Sequence, residues 1–237
     1  MTGQRRILGV LPAKGGSVRL PRKNILPLGG RPLLAWAGGA LRDSGVCDPV
    51  VVSTESAEVA QVAGDLGFAV RMRPEHLAHD PASVDDVVLH VLDDLEAAGE
   101  RYDVVVYCML TCPFVTAADI QAAFRLFQDS GAEAVISVTP FDHTPFAALG
   151  VGEQGRLQPH FPDYFGRRSQ DMPRAFRPTG AVHVLDVAAF RQAGRFFRLP
   201  MTPYEMPPER CVDIDTAADL RLAEAMLATV KTPGEGG

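Results

Sequence analysis

The feature that most constrains the fold is the alternation of short apolar runs with helical segments between residues 7 and 138. Strands are predicted at residues 7–11, 50–53, 69–71, 104–110 and 134–138, where apolar and mostly β-branched residues cluster. Helices are predicted at residues 32–41, 57–66, 83–97 and 117–129. Ser83 and Thr116 are expected to cap the last two helices, and Gly45 and Gly67 to follow the ends of the first two. This alternation predicts an α/β fold with a mainly parallel sheet flanked by helices.

The composition is that of an ordinary globular protein. The chain has 237 residues, of which 46% are hydrophobic and 22% charged, and its net charge is −6. The negative charge argues against a nucleic-acid partner. No apolar run reaches the ~20 residues of a membrane span, and residues 1–6 lack the apolar segment of a signal peptide, so we expect a cytoplasmic protein with no membrane partner.

The four cysteines give a weak metal signal. Cys108 and Cys112 have a loose metal-like spacing, but no second ligand pair follows them. Buried, reduced thiols are therefore favoured over a zinc site.

A glycine-rich loop follows the first predicted strand. Gly15 and Gly16 allow positive φ angles and close approach of a ligand, and successive N–H groups in such a turn bind anions. Four cations lie within the same ten residues of an otherwise acidic chain: Lys14, Arg19, Arg22 and Lys23. The loop therefore indicates a polyphosphate site, and the alternative is a solvated basic loop.

Two common nucleotide motifs do not fit this loop. The nucleoside-triphosphate P-loop ends in Gly-Lys-Ser/Thr, whereas Ser17 and Val18 follow Gly16. The dinucleotide fingerprint needs a third glycine, and Leu20-Pro21 stands in its place.

The run Ala-x-Gly-Gly-Ser-x-Arg-Leu-Pro-x-Lys-Asn at residues 13–24 is similar to the signature of the acylneuraminate (sialic acid) cytidylyltransferases, which couple CTP to a nonulosonic acid. The resemblance implies a Rossmann-like nucleotidyltransferase fold in which Lys14 and Lys23 act on the phosphates. The nucleotide-binding residues that it implies are Ala13, Lys14, Gly15, Gly16, Ser17, Arg19, Lys23, Asn24 and Thr111. The family usually has arginine where Lys14 stands and lysine where Val18 stands.

The alternation of elements breaks between residues 140 and 178. This stretch holds six aromatic residues, which would be a liability if all were exposed: Phe141, Phe146, Phe161, Tyr164, Phe165 and Phe176. A subunit contact is therefore favoured over a floppy surface loop. We predict a single nucleotidyltransferase domain of residues 1–139 and 179–231, a dimerisation and acceptor-binding insertion at 140–178, and a disordered tail at 232–237.

Residues 161–181 resemble the segment that serves dimerisation and sugar binding in the same family. The acceptor-binding residues implied are Met109, Arg168, Gln170, Arg177 and Thr179, with the arginines reaching partly across a homodimer interface. Arginine suits a carboxylate because its planar fork binds both oxygens, although surface ion pairing is the alternative for Arg168 and Arg177. Residues 107–114 resemble the pseudaminic acid branch more closely, whereas Arg177-Pro178 resembles the sialate branch, so the acceptor sugar is open.

Two aspartates near the carboxyl terminus form a second motif. Asp213 and Asp215 would share one face of a strand, where two carboxylates need a cation between them. Mg²⁺ binds one or two carboxylates together with phosphate oxygens. The alternative is that Asp215 caps the helix that begins near Ala217. The family ends its catalytic domain with the same Asp-Ile-Asp-Thr element, and the resemblance implies that both aspartates bind Mg²⁺ and that Asp215 is catalytic.

Together these motifs predict a cytidylyltransferase that transfers CMP from CTP to the anomeric hydroxyl of an acidic, sialic-acid-like sugar and releases pyrophosphate. No clear general base emerges, and His143 is more readily explained as a structural residue. Three alternatives stay open: a pseudaminic or legionaminic acid cytidylyltransferase, a catalytically weak nucleotide-binding homologue, and a transferase for another nucleotide or an octulosonic acid.

Overall fold

The computed structural model describes residues 5–227. The helices are α1 (Leu33–Asp43), α2 (Ala57–Asp65), α3 (Val84–Ala97), α4 (Ala117–Ser130), α5 (Val187–Ala193) and α6 (Ala217–Met226). The strands are β1 (Ile7–Pro12), β2 (Pro27–Leu28), β3 (Arg31–Pro32), β4 (Val50–Thr54), β5 (Ala69–Met72), β6 (Val104–Tyr107), β7 (Ala134–Pro140), β8 (Leu149–Val151), β9 (Leu157–Pro159), β10 (Phe176–Asp186) and β11 (Met201–Glu205). The expected tail at 232–237 lies outside the described residues.

The first four predicted helices and their caps are confirmed. Ser83 begins α3 and Thr116 begins α4, each through a capping box in which its side chain and that of the aspartate three residues later bond each other's backbone N–H. Gly45 and Gly67 follow α1 and α2 with φ angles of 64° and 80°. Local sequence is sufficient to set these helix ends because each cap is made by residues within one turn.

Seven strands form one sheet in the order β11-β7-β10-β6-β1-β4-β5. Only β10 runs antiparallel to its neighbours β6 and β7 among these described strands, so the predicted mainly parallel sheet is confirmed. Alternate residues of β6 serve opposite faces: Val104 and Val106 pack with α1, α2 and α4, whereas Val105 and Tyr107 pack with α3 and α5. The helices therefore cover both faces of the sheet.

The region after residue 140 has more regular structure than its sequence indicates. A small hairpin of β8 and β9 stands apart from the main sheet, joined to it by short 3₁₀ turns. The central strand β10 already begins at Phe176, inside the range predicted as an insertion. No helix within residues 5–227 is both long and apolar enough to cross a membrane.

Candidate active site

The glycine loop leaves the sheet at the carboxyl end of β1. Ala13 is fully buried and its N–H donates to the carbonyl of Ser53 at 2.8 Å, so the chain departs from the sheet only at Lys14. The parallel strands β4 and β6 flank β1 and end at the same edge. Ligands of open α/β sheets bind at this edge, so the glycine loop lies where a ligand is expected.

Interior hydrogen bonds fix the shape of the loop. Asn24 is buried and its Nδ2 donates to the carbonyl of Lys14 at 2.7 Å. The N–H of Ser17 donates to the carbonyl of Gly15 at 3.1 Å. A Cβ on Gly15 would lie 2.5 Å from the Cβ of Ser56, so this position requires glycine, whereas Gly16 is exposed with open space around it. Ala13 and Asn24 thus support the loop from inside, and Gly16 is left accessible to a ligand.

A buried ion pair lies beneath the loop. Glu55 accepts the N–H of Gly15 at 2.6 Å through Oε1, and its Oε2 accepts Nε and Nη2 of Arg73 at 3.1 and 2.8 Å. Burial raises the pKa of Glu55, but the Gly15 N–H and the Arg73 guanidinium outweigh it and leave the pKa below its usual value. Sequence reasoning missed this pair; the signal available was that polar residues follow β4 and β5 at the ligand-binding edge.

A cavity of ≈ 200 Å³ opens beside the loop. It is lined by residues from four parts of the chain: Pro12, Lys14, Ser17, Lys23, Asn24, Arg73, Leu77, Ala78, Ala82, Ser83, Val84, Val87, Met109, Leu110 and Thr111. The structure therefore brings together six of the predicted site residues, namely Lys14, Ser17, Lys23, Asn24, Met109 and Thr111. The two lysines make one wall of this cavity cationic.

The segment that carries the two aspartates is irregular and is not part of the sheet. The strand predicted for it is wrong, because Ile214 makes one backbone bond, from its N–H to the carbonyl of Thr111 at 2.8 Å, instead of a ladder. The alternation survives without the strand: Ile214 is fully buried, Asp213 is exposed and Asp215 is half-buried.

Asp215 connects the carboxyl-terminal motif to the glycine loop. Its carboxylate accepts Lys23 Nζ at 2.8 Å and Arg19 Nη2 at 2.6 Å. Burial raises the pKa of Asp215, but these two cations outweigh it and leave the pKa below its usual value. Helix α6 is capped by Thr216 in a capping box with Asp219, so the alternative that Asp215 is the cap is wrong.

The aspartates fit a magnesium ion only in company with a nucleotide. Among residues 5–227 no group of three or more His, Cys, Asp or Glu side chains could hold a metal by itself. Mg²⁺ commonly takes one or two carboxylates and completes its shell with water and phosphate oxygens. Asp213 and Asp215 supply two carboxylates beside the cationic loop, which is the number that such a site takes from the protein.

The predicted acceptor residues are dispersed in the structure. Arg168 and Gln170 are exposed at the 3₁₀ turn Ser169–Asp171, outside the cavity lining of the described chain. Arg177 is half-buried on β10, near enough to Cys211 to oppose the rise that burial causes in the pKa of that thiol. Thr179 is buried, and its hydroxyl donates to Ser137 Oγ at 2.7 Å, which leaves it directed into the sheet.

Comparison with known sequences gives one family and several relatives that cover most of this chain. A sequence model of the family described as cytidylyltransferase matches residues 8–151. The pseudaminic acid cytidylyltransferase of Campylobacter jejuni is 28% identical over 92% of this chain and 95% of its own length. The CMP-N,N'-diacetyllegionaminic acid synthase of Legionella pneumophila is 30% identical over 94% of this chain and 96% of its own length. The N-acylneuraminate cytidylyltransferase of Streptococcus agalactiae is 27% identical over 89% of this chain, which matches 50% of that protein.

Two solved structures share the fold at low sequence identity. A CMP-2-keto-3-deoxy-manno-octonic acid synthetase complexed with CTP superposes with a TM-score of 0.72 at 17% identity, covering 94% of this chain and 99% of that one. A 4-diphosphocytidyl-2C-methyl-D-erythritol synthase from Anaerococcus prevotii superposes with a TM-score of 0.67 at 13% identity, covering 94% and 96%. The Rossmann-like nucleotidyltransferase fold expected from the sequence is confirmed.

Proposed function

Because the chain belongs to the cytidylyltransferase family, we propose that it transfers CMP from CTP to the anomeric hydroxyl of a nonulosonic acid and releases pyrophosphate. The observation that carries this proposal is the contact between two motifs that lie far apart in the sequence. Lys23 of the glycine loop and Asp215 of the carboxyl-terminal motif bond each other at 2.8 Å at the edge where β1 ends. A triphosphate in the loop would thus lie beside the residues proposed to hold its metal.

Catalysis in this proposal consists of positioning and charge stabilisation. The acceptor hydroxyl attacks the α-phosphorus of CTP and releases its proton to solvent. The new P–O bond forms as the bond between the α- and β-phosphates breaks, and negative charge grows on the departing pyrophosphate. Lys14 and Lys23 line the cavity and would neutralise that charge, while the exposed backbone at Gly16 would approach the phosphates. His143 is exposed in the region after β7, and we assign it no proton transfer.

We propose Mg²⁺ as the cofactor, held by Asp213 and Asp215. When bound, the ion would stabilise charge on the phosphate oxygens. An ion on the Asp215 carboxylate would compete with its bonds to Arg19 and Lys23, and these two cations would then be available to the phosphates.

The acceptor is a nonulosonic acid whose branch the relatives do not decide. Relatives named for pseudaminic, legionaminic and acylneuraminic acids are all 27–30% identical to this chain. We propose that Arg168 and Arg177 grip the sugar carboxylate, with Met109, Gln170 and Thr179 contacting its neighbours. The Thr179 hydroxyl donates its hydrogen to Ser137, so it can accept a hydrogen bond from the sugar, and it can donate one only if it turns away from Ser137.

We further propose a homodimer formed through residues 140–178. Exposed apolar side chains concentrate in this region, with Phe141, Leu149, Val151, Leu157, Phe161 and Phe165 between 39% and 76% exposed. Such a patch is typical of an interface that a partner covers. All four cysteines are free and buried, in keeping with the reducing cytoplasm that we propose as the location.

The test is pyrophosphate release by the purified protein with Mg²⁺. All four nucleoside triphosphates are crossed with acylneuraminic, pseudaminic, legionaminic and octulosonic acids. We expect that CTP is the only one of the four nucleotides that supports release, and that one nonulosonic acid is preferred as the acceptor. Binding of CTP without release for any acceptor would instead identify a nucleotide-binding homologue, and release with octulosonic acid alone would reassign the acceptor class.

A further inference from the structure

We propose that Glu55 is a positioning residue that sets the shape of the glycine loop for the triphosphate. The inference rests on the proposed function, because the shape of the loop matters in this way only if the loop receives a nucleotide. Glu55 directly follows β4, next to the edge where β1 ends. Both of its carboxylate oxygens are bonded to the protein and its side chain is buried, so it acts through Gly15 and not by contact with the substrate.

The carboxylate of Glu55 is fully engaged on the protein side of the loop. One oxygen accepts the N–H of Gly15 at 2.6 Å, and the other accepts two nitrogens of Arg73. The Glu55 and Arg73 side chains are only 7% and 2% exposed. Arg73 also donates from Nη1 to the carbonyl of Ser53 at 3.3 Å, which ties the pair to β4. A side chain held at both oxygens in this way has one geometry to offer the loop.

The pairing with Arg73 solves an electrostatic problem. A lone carboxylate beneath a loop that binds a triphosphate would repel the ligand, and this repulsion is strong where water is excluded. Arg73 supplies the opposite charge, so Glu55 can accept a hydrogen bond without adding net negative charge below the site. A buried pair of this kind is costly to break from one side, which keeps the acceptor in place.

The bond from Gly15 decides which amides remain for the ligand. The N–H groups of Gly15 and Ser17 are both used inside the protein, and Asn24 fixes the carbonyl of Lys14. Gly16 stands exposed between these fixed points. A loop ordered before the ligand arrives loses less conformational freedom on binding. Glu55 therefore contributes to triphosphate affinity through the backbone at residues 15–17.

The first experiment tests the contact without any ligand. Hydrogen exchange of the peptide amides at residues 13–20 is compared among the wild type, Glu55→Gln, Glu55→Ala and the control Glu133→Gln. The control makes the same chemical change on an exposed carboxylate directly before β7. We expect exchange in the loop to accelerate at least tenfold in Glu55→Ala, to a smaller extent in Glu55→Gln, and not in the control. Unchanged exchange in both Glu55 variants overturns the proposal whatever the protein catalyses.

The second experiment asks whether the loop serves the triphosphate. Binding of CTP and of CMP is measured by calorimetry for the same four proteins, with circular dichroism to establish that each is folded. We expect Glu55→Ala to weaken CTP binding about tenfold or more and CMP binding less than twofold, with Glu55→Gln between it and the wild type. An equal loss for both nucleotides would mean a general structural role and would overturn the proposal.

A wild type that binds no CTP would overturn the proposed function instead, while the exchange measurement still tests the contact between Glu55 and Gly15. Should Glu55→Ala fail to fold, the Gln variant carries both comparisons.

Discussion

Three carboxylates of this structure bind basic side chains, but their exposure differs and so does the expected effect of removing them. The side chains of Glu55 and Asp119 are 7% and 2% exposed, whereas that of Asp215 is 31% exposed. Breaking a buried pair leaves an uncompensated charge and costs about 3–5 kcal/mol, while a partly exposed pair contributes about 1 kcal/mol or less. Substitution at Asp215 therefore reports on chemistry, and substitution of the other two reports on folding as well.

Asp215→Asn is predicted to abolish turnover and leave the protein folded. The variant loses the proposed metal ligand. Its pair with the largely exposed Arg19 contributes about 1 kcal/mol or less to stability, and the asparagine oxygen can still accept the hydrogen bond from Lys23. Pyrophosphate release at saturating CTP and urea unfolding are measured side by side. Asp43→Asn, which removes an exposed carboxylate at the end of α1, is the control. Near-normal turnover with Mg²⁺ in the Asp215 variant would exclude the metal role.

At the residue scale, the sequence identifies what is contiguous and misses what is paired through the fold. Lys14, Ser17 and Lys23 lie within ten residues of one motif, so their common destination was predictable. Glu55 and Arg73 are separated by a helix and a strand, and nothing in either neighbourhood shows that both side chains are buried against each other. Their partnership depends on the parallel pairing of β4 with β5.

At the element scale, the misses share a physical cause, which is dependence on distant partners. β10 carries Pro178 and β11 carries Pro203, and proline weakens a strand signal because it cannot donate to a ladder. Both strands nevertheless form because β7 pairs with each of them. The aspartate segment shows the reverse, because its alternating pattern suits a strand but no neighbouring strand is there to pair with it. β6 ends at Tyr107, and the chain beyond it gives the segment one backbone hydrogen bond, from the N–H of Ile214 to the carbonyl of Thr111.

A buried carboxylate on α4 clamps the segment that leads to the aspartates. Asp119 accepts Arg210 Nη2 at 2.7 Å and the Tyr204 hydroxyl at 2.9 Å through one oxygen, and Arg210 Nε at 3.2 Å through the other. Burial raises the pKa of Asp119, but Arg210 and Thr116 outweigh it and lower the pKa overall. Arg210 lies in the 3₁₀ turn Pro208–Arg210, so it anchors the chain just before Asp213.

Arg210→Met is predicted to lower the free energy of unfolding by about 3 kcal/mol, because it leaves the Asp119 charge buried with only neutral partners. Arg174→Met is the matched control, since it removes an arginine that pairs with Glu205 and is 72% exposed. The control should lose less than about 1 kcal/mol. Urea unfolding of both variants supplies the comparison. Equal losses in the free energy of unfolding would show that the Arg210–Asp119 pair contributes no more to stability than an exposed pair.

The capping box of α3 predicts a specific acid sensitivity. The bond from Arg195, together with those from Ser83, lowers the pKa of Asp86 to about 2 despite some burial. In the unfolded chain the pKa of this residue is about 3.9. Between these two values the unfolded state binds more protons, so the free energy of unfolding decreases as the pH is lowered. The contribution of Asp86 is complete above about pH 4 and is lost towards pH 2.

Arg195→Met should therefore be less stable than the wild type above about pH 4, and the difference should narrow as the pH falls towards 2. Urea unfolding at a series of pH values measures it. Arg101→Met, which removes an 83% exposed partner of Glu96, should stay close to the wild type throughout. A difference between Arg195→Met and wild type that is independent of pH would mean that Asp86 is not the titrating group.

On the scale of the whole molecule, the proposed acceptor arginines occupy different settings. Arg177 projects from β10 beside Cys211, two residues from Asp213 of its own chain. Arg168 is exposed on the region that carries the proposed dimer contact. If the region reaches a second subunit, Arg168 is the residue placed to enter the partner's site, whereas Arg177 serves its own.

This difference predicts opposite results when inactive variants are mixed. A dimer of Arg168→Ala and Asp215→Asn subunits would contain one intact site, because Asp215 of the first chain would meet Arg168 of the second. A dimer of Arg177→Ala and Asp215→Asn subunits would contain none, because each site lacks one of its own residues.

Activity is measured against mixing ratio after subunit exchange, which is followed by mass spectrometry of tagged chains. Recovery is expected for the first pair, towards half of the wild-type activity per mixed dimer, and not for the second. Recovery for neither pair despite complete exchange would mean that each site is built from one chain, and a monomeric mass at micromolar concentration would remove the dimer itself.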